Sequence, residues 1–239
     1  LGAKQSVAEA TKDLRSAFSE AYRSVRTALQ FSTDHGVPKV LLLTSAVPGE
    51  GKSTSALALA RNFAQLCKRV LLIEADMRNP SLHRSLAQRS DQGLSNLLAG
   101  AAALQDVIID SGDARLDVIL SGPLPPNPAE LLSGSRLVSL LSIAAQHYDQ
   151  VVIDGPPVMG IADGPLLASS ADATMLVVDS GRTKISNAQT ALKRLLSTRS
   201  HVIGVLLTKY DAKAAGYGYQ YECYYAYGGA PARLPGKKR

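Results

Sequence analysis

Six short apolar runs punctuate the chain, at residues 40–43, 70–75, 116–120, 151–154, 173–179 and 202–208. Each has the length and composition of a buried strand. Between them the period changes. In residues 55–69, Ala56, Leu57, Leu59, Ala60, Phe63, Ala64 and Cys67 return at helical spacing, and residues 129–148 and 184–197 behave alike. Residues 91–113 read as helix and loop broken at Gly93, Gly100 and Gly112, and 122–128 (GPLPPNP) as a rigid loop. Pro80 stops the element after the second run, and Ser81 is placed to cap the next helix. Residues 1–32 form a helical lead-in, with Tyr22, Val25 and Leu29 near one face. Strands alternating with helices predict an α/β fold, a mostly parallel sheet with helices on both faces.

The first run feeds a loop that carries chemistry. Residues 39–54 read KVLLLTSAVPGEGKST, which is strand, glycine-rich loop, Lys-Ser and helix start. This is the context a phosphate-binding P-loop requires. Glycines let backbone N–H groups turn around an anion, and the helix N-terminus adds its dipole. Pro48, Gly49, Glu50, Gly51, Lys52, Ser53 and Thr54 are the candidate nucleotide-binding residues. Lys52 is placed for the β- and γ-phosphates and Ser53 for Mg²⁺. Ala46 replaces the first glycine of the usual pattern. The simpler alternative is a glycine-rich turn before a helix.

Two aspartates follow strands. Asp76 comes directly after the second run and Asp154 closes the 151–154 run. Open α/β sheets place their ligands at the carboxyl ends of strands. Asp154 is therefore the candidate for Mg²⁺ or its water, opposite Ser53. A turn aspartate before Gly155-Pro156 is the alternative.

Composition narrows the classes. With 239 residues and 46% apolar, the chain can bury one large core. No apolar run approaches the roughly 20 residues that span a bilayer. The polar start predicts no secretion signal, and Leu1 in place of Met predicts a longer protein upstream. Cys67 and Cys223 are far apart, which points to a reducing compartment without disulfides. No Cys/His cluster has zinc spacing. The net charge of +6 is dispersed, and no nucleic-acid motif accompanies it. Glu20, Arg23 and Arg26 recur every three residues as a polar stripe, either a solvated face with a local ion pair or a contact with another subunit.

After Tyr210 the composition shifts. Residues 216–229 hold Tyr217, Tyr219, Tyr221, Tyr224, Tyr225 and Tyr227, interleaved with glycine. No large aliphatic residue joins them, so the segment is expected to be a flexible tail. An aromatic packing tail, an RNA-stacking segment and a set of phosphorylation substrates are the three readings. The expected organisation is a lead-in at 1–32, a P-loop domain at 33–211 and a tyrosine-cluster tail at 212–239.

Taken together, these features resemble the cytoplasmic domain of the bacterial tyrosine kinases tied to capsule and exopolysaccharide export. Residues 45–54 (SAVPGEGKST) resemble that family's Walker A, 70–78 (VLLIEADMR) its Walker A′ and 151–157 (VVIDGPP) its Walker B. Residues 127–132 match its NPxELL segment, and Glu20, Arg23 and Arg26 its E-x-x-R-x-x-R oligomerisation motif. Glu74 stands where the family usually has an aspartate, and Val47 stands where the cell-division and partition ATPases carry an extra lysine.

The resemblance implies an ATP-dependent protein-tyrosine kinase with ATP/ADP and Mg²⁺ as cofactors. Lys52, Asp76 and Asp154 would be catalytic, and Ser53, Asp76 and Asp154 would serve the metal. The six tail tyrosines would accept phosphate on a neighbouring subunit. It further implies a ring-like homo-oligomer, an octamer in the family, a polysaccharide co-polymerase-type membrane adaptor, and the cytoplasmic face of the plasma membrane. Nucleic acid is not an expected partner. The alternative is a nucleotide-switched ATPase that regulates assembly without kinase activity, with an adaptor that binds no nucleotide as a third class.

Overall fold

The computed structural model describes residues 16–88 and 90–210. The strands are β1 (Val40–Ser45), β2 (Val70–Glu74), β3 (Ile108–Asp110), β4 (Leu116–Ile119), β5 (Gln150–Asp154), β6 (Ala173–Asp179) and β7 (Val202–Thr208). They form one seven-stranded sheet in the order β3-β4-β2-β5-β1-β6-β7. Every pairing is parallel except β3 with β4. The helices are α1 (Ala17–Gln30), α2 (Lys52–Ala64), α3 (Leu82–Leu86), α4 (Leu94–Ala99), α5 (Leu104–Val107), α6 (Pro128–Ser133), α7 (Ser135–His147), α8 (Asp163–Ser170) and α9 (Ile185–Leu196).

Strand periodicity sorts the core into two layers. Leu42, Leu71, Ile73, Val151 and Ile153 face one cluster, with Leu98 of α4, Leu137 and Leu141 of α7, Leu167 of α8 and Leu195 of α9. Leu41, Leu43, Leu72 and Val152 face the other, with Tyr22 and Leu29 of α1 and Leu57 and Phe63 of α2. Successive side chains on a strand point to opposite faces, and helix-covered parallel strands are apolar on both. The helices cover both faces, as expected.

Four expectations change. Residues 108–110 form an antiparallel edge strand inside a stretch read as helix and loop; three residues are too few to show a period. The helical stretch at 129–148 is two helices, because Gly134 adopts an extended backbone between them. Cys67 lies beyond α2, exposed and in a left-handed conformation at φ +60°. Its N–H closes a tight final turn on the Ala64 carbonyl. Ser81 makes no side-chain cap to α3; Glu74 supplies that function, as described below. One close approach requires glycine, since a Cβ on Gly93 would lie 2.3 Å from the Gly122 nitrogen.

Candidate active site

After β1 the chain turns through residues 46–51 into α2. Gly49 and Gly51 hold φ at +84° and +91°, where other L-residues are strained. The first turn of α2 leaves the N–H groups of Lys52, Ser53 and Thr54 without intrahelical acceptors, at the positive end of the helix dipole. The Glu50 carboxylate is fully buried and committed to protein partners. It accepts from the Val47 N–H at 2.8 Å and from the Thr183 hydroxyl.

Sheet order brings the acidic residues to this loop. β5 lies between β1 and β2, so Asp154 is level with Leu43 on one side and Glu74 on the other. Lys52 Nζ lies 2.7 Å from Asp76 Oδ2 and 3.9 Å from Asp154 Oδ1. Asp76 Oδ1 accepts from the N–H groups of Arg78 (3.3 Å) and Asn79 (3.0 Å), which leaves Oδ2 aimed at the lysine. Burial works against the Lys52 charge, yet Asp154 and then Asp76 outweigh it and hold its pKa above the ordinary value. Burial pushes the Asp154 carboxyl up to about 6, against the downward pull of the nearby Lys52 ammonium. Neither Asp154 oxygen has a hydrogen-bond partner among the described residues.

That orphaned carboxylate is the test of a metal site. Among the described residues no group of three or more His, Cys, Asp or Glu could cage an ion. Mg²⁺ at a phosphate loop does not need one, because phosphate and water supply most of its oxygens. A buried carboxylate without donors, beside a serine hydroxyl, fits such an ion.

The sequence signature of the AAA domain matches residues 39–203. The chain is 40% identical over 202 residues to the tyrosine-protein kinase YwqD of Bacillus subtilis, covering 84% of this chain and 85% of YwqD. It is 38% identical to the putative tyrosine-protein kinase EpsB of Ralstonia solanacearum, but spans only 27% of that longer protein. The solved kinase domain of the Escherichia coli tyrosine kinase ETK superposes with a TM-score of 0.80 at 33% identity, over 83% of this chain and 78% of that one. This chain belongs to the bacterial tyrosine-protein kinases, on a P-loop NTPase fold.

In this kinase, Glu74 answers the question its position raises. Its Oε1 accepts from the N–H groups of Ser81 and Leu82, each at 2.6 Å, and its Oε2 from the Ser121 N–H at 3.1 Å. Both oxygens hold backbone, so the longer side chain ties the end of β2 to α3 and to the loop after β4. Arg78 was legible only as part of a motif. It forms a two-pronged pair with Asp163, at 2.8 and 3.0 Å, which pins the loop after Asp76 to the start of α8. Asp163 carries a weak signal, an acid in the first turn of a helix. Thr183, Asp179, Arg182, Thr208 and Lys209 also contact the phosphate loop or Glu50. No motif marks them.

The polar stripe is divided between contacts. Glu20 and Arg23 pair with each other, while Arg26 donates to the Asn62 carbonyl at 2.9 Å and so fastens α1 to α2. Tyr217, Tyr219, Tyr221, Tyr224, Tyr225 and Tyr227 lie outside the described residues. No helix among the described residues is long and apolar enough to cross a membrane.

Proposed function

We propose that this chain is the catalytic unit of an ATP-dependent protein-tyrosine autokinase, which phosphorylates the tyrosine cluster of a neighbouring subunit and so regulates exopolysaccharide or capsule polymerisation and export. The observation that carries the reading is the convergence of Lys52 on Asp76 and Asp154 at the mouth of the phosphate loop. The relatives YwqD and CpsD, which are tyrosine-protein kinases, support it.

Residues 49–54 cradle the phosphates with backbone N–H groups. Ser53 and Asp154 would hold Mg²⁺, which would supply charge neutralisation to the phosphates. Lys52 is stored on Asp76. When the nucleotide enters, the γ-phosphate competes for the ammonium, and Asp76 Oδ2 is released next to the reacting phosphorus. A tyrosine phenol, with an ordinary pKa near 10, then passes its proton to Asp76 as its oxygen bonds to the γ-phosphorus. The bond from that phosphorus to the β–γ bridging oxygen breaks, and ADP leaves.

In this reading the acceptors are Tyr217, Tyr219, Tyr221, Tyr224, Tyr225 and Tyr227. Each phosphate adds about −1.5 to −2 charges. Phosphorylated tails repel, so modification loosens a homo-oligomer arranged through Glu20, Arg23 and Arg26. The domain division at 1–32, 33–211 and 212–239, the membrane adaptor and the location at the inner face of the membrane belong to the same proposal. Incubation with Mg-ATP and detection of phosphotyrosine tests it. The intact chain is expected to label itself, and Lys52→Met to lower the rate by about 10²–10³-fold, as for loss of one transition-state donor. Absence of phosphotyrosine in the intact chain, under conditions where MgADP binds, would sink the kinase reading.

A further inference from the structure

Six consecutive carbonyls of the phosphate loop each have a donor. Ala46 receives the Met159 N–H at 3.1 Å and Val47 the Ser45 hydroxyl at 2.9 Å. Pro48 receives an Arg182 guanidinium nitrogen at 2.7 Å, Gly49 the Lys209 ammonium at 2.7 Å, and Glu50 the Thr208 hydroxyl at 2.6 Å. Gly51 receives the Ser55 N–H at 2.9 Å. The donors to Pro48, Gly49 and Glu50 come from the turn after β6 and from the end of β7.

The peptide unit is planar and trans here, so each carbonyl points opposite to the N–H that follows it. Drawing the carbonyls of Pro48, Gly49 and Glu50 towards Arg182, Lys209 and Thr208 turns the N–H groups of Gly49, Glu50 and Gly51 the other way. Successive N–H groups on one side of a turn make an anion-binding concavity. We propose that Lys209 and Arg182 are positioning residues of the phosphate loop, setting the direction of its N–H groups from behind. This rests on the nucleotide-site reading above.

The geometry around Lys209 suits that task. Its backbone sits at φ +53°, a left-handed conformation that lysine disfavours. Asp179 Oδ2 grips Nζ at 2.7 Å, and Asp179 is itself fixed through the Gly181 N–H at 3.0 Å. Glu50 joins the same assembly through Thr183 and the Asp179 N–H. A Cβ at Gly49 would lie 3.3 Å from Arg182 Nη2, so the guanidinium lies against the loop. Lys209 is also the second-last described residue, directly before the tail, so the brace stands where the proposed acceptor segment begins.

The test uses the full chain and MgADP, with calorimetry at low and high salt. Lys209→Met, Arg182→Met, their combination and Lys209→Arg are compared with the wild type. The combined variant is expected to bind MgADP about tenfold more weakly at both salt concentrations. Lys209→Arg, which keeps a donor, is expected to recover most of the Lys209→Met loss. The nucleotide-free melting midpoint should move by less than about 4 °C; if the combined variant melts earlier, the single variants carry the test. Unchanged affinity in the variants would overturn the proposal. So would a loss that vanishes at high salt, since that is screened attraction between charges rather than loop geometry. A wild-type chain that does not bind MgADP would instead remove the nucleotide reading, and the positioning role with it.

Discussion

Three buried carboxylates stand side by side at the strand ends, and each meets a different set of partners. Glu74 accepts three backbone N–H bonds. Asp76 accepts two and an ammonium. Asp154 accepts none. A buried charge without donors is costly, so Asp154 is the residue with most to gain from a cation. Glu74 is the residue whose loss should be felt in folding. Glu74→Ala would leave the N–H groups of Ser81, Leu82 and Ser121 without their acceptor. At roughly 1–3 kcal/mol for an unsatisfied buried group, partly relieved by water, we expect a loss of about 3 kcal/mol in urea denaturation. Glu74→Gln keeps one acceptor oxygen and should fall between. Equal stability of wild type and Glu74→Ala would show that the three bonds contribute little. The identity of Glu74 was legible in the sequence as a departure from a motif. Its role was not, because its partners lie 7, 8 and 47 positions away and are backbone atoms, which no residue pattern marks.

At the scale of elements, β1, α2, β5, β6 and β7 were readable from period alone, and their observed bounds fall within two residues of those expected for the strands. For β1, β5 and β6 the reason is local packing chemistry, because a strand buried on both faces must be apolar throughout; β7 is apolar too, although it is a half-exposed edge strand. The short β3 and the break at Gly134 were not readable, since both depend on what the neighbouring element permits. The brace between β6, β7 and the phosphate loop is likewise an agreement among elements, and it has a pH signature. The hydrogen bond from Lys209, then that from the Gly181 N–H, hold the Asp179 pKa below its ordinary value against the effect of burial. A carboxyl depressed in the folded state contributes stability that is present above its unfolded pKa, near 3.9. That contribution is lost as pH falls through the lower folded value. Denaturation midpoints followed between about pH 5 and pH 2 should therefore drop in the wild type more steeply than in Asp179→Asn. Parallel curves would remove Asp179 from the acid limb.

At the scale of the whole molecule, α1 lies along α2, and Arg26 fastens the two through the Asn62 carbonyl. Glu20 and Arg23 remain paired on the half-exposed side of α1. If the stripe joins subunits, Arg23→Ala combined with Arg26→Ala should shift the sedimentation profile of the full chain to smaller species. An unchanged profile would leave Arg26 as an intramolecular fastener and Glu20 with Arg23 as a surface pair, worth a few tenths of a kcal/mol.

Amino-acid order alone determined the α/β class, the strand that feeds the phosphate loop, and the placement of Asp76 and Asp154 at strand ends. These are properties of a few adjacent residues, where period and glycine positions act directly on the backbone. Tertiary structure alone decided which groups meet. Inserting β5 between β1 and β2 brings Asp154 beside Lys52, 102 positions earlier in the chain. Placing β6 and β7 on the other side brings Arg182, Thr208 and Lys209 behind a loop more than 130 positions away. Such partners are chosen by strand order, and strand order follows from how the two apolar layers pack, which no local stretch of sequence contains.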